Sequence, residues 1–152
     1  MKRLVRASWL VFLVAMAASI ALGKKDESVE DLKARVASSS PEQRVGLCIE
    51  IASKQLSGAD KLYTDGKSEE AQAALKDVVS YAGQATEAAT QTGKKLKRAE
   101  IEVRRMAHKL RDMKRSAVFE DQAAIQDAVD RMENMRTELL AKMFGFGKGK
   151  TE

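Results

Sequence analysis

One stripe of apolar side chains dominates what this chain can become. Leu75, Val78, Ala82, Ala85, Ala89, Thr92, Leu96, Ala99, Val103, Met106, Leu110, Met113 and Ala117 follow one another at alternating steps of three and four residues, and only Thr92 is polar. An α-helix brings residues at that spacing onto one face, and a sustained heptad makes a seam that buries itself against other helices. No stretch alternates apolar and polar at period two for long enough to argue a strand, and Pro41 is the only proline. The expected fold is therefore all-α: a helical bundle or hairpin with one long coiled-coil-like helix over about 68–116. Such a helix would run roughly 70 Å at about 1.5 Å per residue. Gly83 and Gly93 interrupt the stripe without shifting its phase, and "TQTG" before residue 94 has turn chemistry. A hairpin broken near Gly93 is the alternative.

The flanking helices are written in capping residues. Ser28 with Asp31 resembles a capping pair ahead of Val29, Leu32 and Val36. Ser40, Pro41 and Gln43 form an N-cap, a first-turn proline and a capping-box partner. The helix after them carries Val45, Cys48, Ala52, Leu56, Ala59 and Leu62 or Tyr63 on one face, and Asp65-Gly66 stops it. A last helix from about Asp121 to Met143 presents Ile125, Ala128, Met132, Met135 and Leu139.

The ends mark out the domain. "MKRLVRASWLVFLVAMAASIALGKK" has a cationic start, an apolar run from Trp9 to Leu22 and small residues before a cut after Gly23, the pattern of a secretory signal peptide over residues 1–23. Its apolar run is shorter than the roughly 20 residues a membrane span needs. Membrane contact is thus expected only through this peptide, or through its retention as an N-terminal anchor. A single α-helical domain over 24–143 and a flexible glycine-lysine tail over 144–152 complete the division. The expected location is the periplasm or the exterior.

Charge narrows the partners. The leader holds three of the 27 Lys+Arg and no acid, which leaves 24 cations against 22 acids after cleavage, a net +2. A nucleic-acid binder would keep a larger positive excess, so no nucleic-acid partner is expected. Lys94 to Arg115 nevertheless concentrates ten cations against Glu100, Glu102 and Asp112, while Glu120 to Glu138 holds six acids against Arg131 and Arg136. If these two segments pack antiparallel, a basic flank meets an acidic one. An acidic or anionic-lipid partner remains the alternative use of the cations.

Chemistry is sparse. His108 is the only histidine and falls off the seam, so a multi-histidine metal site is impossible and no nucleophilic triad is expected around it. No glycine-rich loop joins a strand to a helix. Cys48 is the single cysteine, which excludes an intramolecular disulfide and suits an apolar helix face. No enzyme activity and no cofactor are expected. The candidate partner-binding residues are Lys97, Arg104 and Arg111 on the basic flank, with Met132 and Met135 on the methionine-rich face.

Within this frame "ADKLYTDGKSEEAQAALKDVV", Ala59 to Val79, resembles one tetratricopeptide-type helical hairpin: small Ala59, bulky Leu62-Tyr63, the Gly66 turn, small Ala71, then Leu75 and Val78. The resemblance implies such a hairpin over 41–80, but a copy 34 residues on fails, with Arg105 in the small slot. The whole chain is also similar to small exported all-helical bacterial proteins of unknown function, a likeness that implies a compartment and a shape but no activity. The reading that results is a non-catalytic exported interaction or scaffold protein of the cell envelope, with a protein partner and an open question of homodimerisation. The alternative is a periplasmic holdase-like chaperone that binds unfolded clients through methionine-rich helix faces.

Overall fold

The computed structural model of the chain describes residues 27–145. The proposed leader and the tail beyond Gly145 lie outside those residues. Five helices follow one another: α1 (Val29–Ser38), α2 (Pro41–Thr64), α3 (Ser68–Thr92), α4 (Leu96–Ser116) and α5 (Phe119–Phe144). The described residues contain no strand. The all-α bundle expected from the apolar periodicity is what the chain forms.

The helix starts follow local chemistry. The Ser28 side chain accepts from the Asp31 backbone N–H, and Ser40 and Gln43 complete a reciprocal capping box around Pro41. Side-chain acceptors here replace the intrahelical partners that first-turn N–H groups lack. At the end of α2, Gly66 takes a left-handed φ of 73°, and the Lys67 N–H reaches back to the Leu62 carbonyl at 2.8 Å. That closure turns the chain so that α3 runs back along α2, with Ala59 and Ala71 both fully buried where the helices approach.

The long helix over 68–116 is not continuous. Gly93 closes α3 with a φ of 69° and its N–H on the Ala89 carbonyl, and Lys95, also left-handed at 57°, begins α4. The reason the stripe keeps its phase is geometric. Ten of its thirteen residues are buried, from Leu75 to Ala89 in α3 and from Ala99 to Met113 in α4, and both halves face the same core. The three-residue connection Gly93-Lys94-Lys95 preserves the step of four between Thr92 and Leu96, so a corner and a rod write the same pattern.

The result is two helical hairpins, α2–α3 and α4–α5, packed chiefly through α3 against α5, with α4 also touching α2 and α3 and α1 lying on α2. The last helix starts two residues before the expected Asp121 and ends one after Met143. One core runs through the whole, including Leu32, Ile51, Val78, Val103, Leu110, Ile125 and Leu139.

Candidate interaction surface

Because both hairpins double back, their turns come together. Residues 65–67 and 117–118 sit at one end of the bundle, which we call the tip; the α3–α4 corner sits at the other, tied to the start of α2 by Lys94 Nζ on Glu42 Oε2 and Lys95 Nζ on the Glu42 carbonyl, each 2.9 Å.

At the tip, Ser68 Oγ donates to Asp121 Oδ2 at 2.6 Å and Gln72 Nε2 to Oδ1 at 3.3 Å. Asp121 is only 4% exposed. It lies in the first turn of α5 and touches the first turn of α3 through Ser68. Tyr63 stands in the same wall. Its hydroxyl is shielded from water and has no hydrogen-bond partner among the described residues. Burial first, and then the charge of Asp121, push its ionisation up to about 12, so it stays a neutral donor. Tyr63, Ser68 and Asp121 line a pocket of about 460 Å³. Val118 lines it at 62% exposure, and the next residue in the chain, Phe119, is exposed at 84%; the other exposed large apolar side chain among the described residues is Phe144. Apolar side chains of that size left in water beside a polar pocket are the pattern of a contact surface.

The residues singled out from the sequence fall elsewhere. Lys97 and Arg104 are exposed along α4, and Arg111 is half-buried between α4 and α5. Arg111 Nη2 meets Glu133 Oε1 at 2.6 Å, while Arg104 reaches Glu100 only at 3.8 Å within its own helix. The basic flank is thus paired internally in part, and the pairing is mixed: Lys109 goes to Asp60 of α2, and Glu100 of the basic segment takes Arg136 of the acidic one at 3.0 Å. Met132 is fully buried, Met106 and Met113 nearly so, and Met135 packs partly buried against the core. Met132 therefore fills the interior, while Met135 and Met143 are only partly buried. Cys48 is buried, with its thiol pushed up to about 11 by desolvation, and His108 is exposed.

Comparison with protein-family models, curated proteins and solved structures finds no match to this chain.

The tip was invisible in the sequence because it joins residues 60–68 to residues 113–121. The one local signal is the pair Val118-Phe119 directly ahead of a helix, where apolar residues are out of phase with the buried face. A second groove, of about 480 Å³ at the opposite end, is lined by Arg35, Lys95 and Arg98 together with Glu50. The described residues hold no group of three or more His, Cys, Asp or Glu placed to hold a metal ion, and no helix among them is long and apolar enough to cross a membrane.

Proposed function

We propose that this chain is a non-catalytic, exported helical interaction protein that docks a partner polypeptide at its tip. The observation that carries the reading is the exposed pair Val118-Phe119, at 62% and 84%, whose first member lines the tip pocket. An aromatic side chain in water on the end of an otherwise well-buried bundle contributes most when a partner covers it. The two rigid hairpins supply a fixed platform, and their turns present the pocket without any loop that must order on binding. Export rests on the leader-like residues 1–23. The tetratricopeptide-like reading of the α2–α3 hairpin is in keeping with the same role, since stacked helical hairpins commonly present binding surfaces.

A photo-crosslinking side chain placed at position 119 in the exporting cell, with position 131 of α5 as an exposed control, tests the docking. A discrete adduct at 119 and none at 131 is expected. No adduct at 119, or diffuse labelling equal at both positions, removes the reading. Mass spectrometry of the exported protein tests the compartment: its N-terminus should be Lys24, and an intact Met1 leader on a cytosolic protein would contradict export.

A further inference from the structure

The tip pocket has a chemical bias that its apolar rim does not account for. Two carboxylates, Asp60 and Asp121, reach its wall, and no lysine or arginine does. Asp60 is already matched by Lys109 Nζ at 2.5 Å. Asp121 is matched by neutral groups alone, the Ser68 hydroxyl and the Gln72 amide, and among the described residues it has no ion pair. A carboxylate has about four acceptor positions, so these two donors leave capacity for more. Removed from water and held only by dipoles, such a group gains from any cation that reaches it. The Tyr63 ring stands in the same wall with its hydroxyl shielded from solvent, so the carboxylate of Asp121 is the group a cation would meet.

We infer that the tip pocket receives one lysine or arginine side chain of a partner polypeptide, its charged head on Asp121, its apolar neighbours on Val118 and Phe119. The inference rests on the tip being the docking surface and adds the chemistry of what docks. Size agrees: about 460 Å³ is at the lower end of the roughly 300–1,000 Å³ of pockets that enclose a small ligand, and one long side chain needs less than a whole ligand. A polypeptide rather than a free amine is indicated by the rim. Val118 lines the pocket at 62% exposure and its chain neighbour Phe119 is exposed at 84%, and a simple diamine would leave Phe119 uncovered.

Three probes separate the sources: acetyl-Leu-Lys-Leu-amide, the same peptide with norleucine for lysine, and 1,5-diaminopentane. Each is titrated into the isotope-labelled protein purified from the exporting host, with amide shifts as the readout. The lysine peptide should move the amides of Tyr63, Ser68, Phe119 and Asp121, and bind more tightly than either of the others. Asp121→Asn should weaken it about tenfold or more, as expected for loss of a charged hydrogen-bonded partner. Tyr63→Phe removes only a shielded, unsatisfied hydroxyl, so it should keep both the melting temperature and the affinity for the peptide. Equal binding of the lysine and norleucine peptides overturns the inference, as does diaminopentane binding as tightly as the peptide. A cross-link at position 119 together with probes that fail to discriminate would keep the docking surface and remove its cation preference.

Discussion

Arg136 Nε on α5 donates to Glu100 Oε1 on α4 across 3.0 Å, and the Glu100 side chain is only 10% exposed. The pair inverts the expected charge pattern, because the acid belongs to the basic segment and the cation to the acidic one. Its location between the two helices of the second hairpin gives it more consequence than a surface pair. Arg136→Ala leaves a largely buried carboxylate with Arg104 at 3.8 Å as its remaining cation. The expected loss is about 1–3 kcal/mol of unfolding free energy, read by urea denaturation. Arg136→Lys should recover part of it, since a point charge replaces a planar fork.

Two glycines of the apolar stripe should respond in opposite directions. Gly93 holds a left-handed φ of 69°, where a Cβ costs about 1–2 kcal/mol, so Gly93→Ala should lower stability by about that amount. Gly83 lies inside α3, and a Cβ there would meet only Met135 Cε at 3.5 Å, an ordinary contact. Gly83→Ala should raise stability by about 0.5–1 kcal/mol. Thermal melts of the two variants check both signs.

The basic flank divides into paired and solvated positions. Arg111→Glu replaces the 2.6 Å pair with Glu133 by a repulsion and should cost about 1 kcal/mol. Lys97 is exposed, and among the described residues no ion pair involves it, so Lys97→Glu should stay within about 0.5 kcal/mol of the parent. Equal losses at both positions would contradict this division.

Cys48 sets an alkaline limit. Its folded-state ionisation is raised from 9.0 to about 11 by burial, so the native chain keeps a proton that the unfolded chain gives up. Stability from the neutral thiol is complete below about 9 and is lost as pH rises through about 11. Cys48→Ala should flatten that alkaline decline. In the parent, a thiol reagent at neutral pH should label Cys48 only as fast as the core opens.

What could be read from residues alone was whatever is local. The capping box at Ser40 and the stop at Gly66 each involve groups within a few positions of one another, and both were legible. The core was legible too, since burial follows the three-four step through Leu75, Val103 and Leu110. The corner at Gly93 reads as continuous helix in the sequence, because a three-residue connection keeps the heptad phase while reversing the helix. Asp121 and Glu100 hold carboxylates that pattern analysis assigns to solvent, and only the approach of Ser68 and Arg136 from distant helices explains their burial. The tip depends wholly on that reversal.

A distance between spin labels at positions 67 and 118, in a Cys48→Ala background, tests this most directly. The two turns lie side by side in the folded bundle, so the separation should fall below about 25 Å, whereas an uninterrupted helix through Gly93 would hold its ends about 70 Å apart. The long distance would abolish the tip, its pocket and the docking built on them.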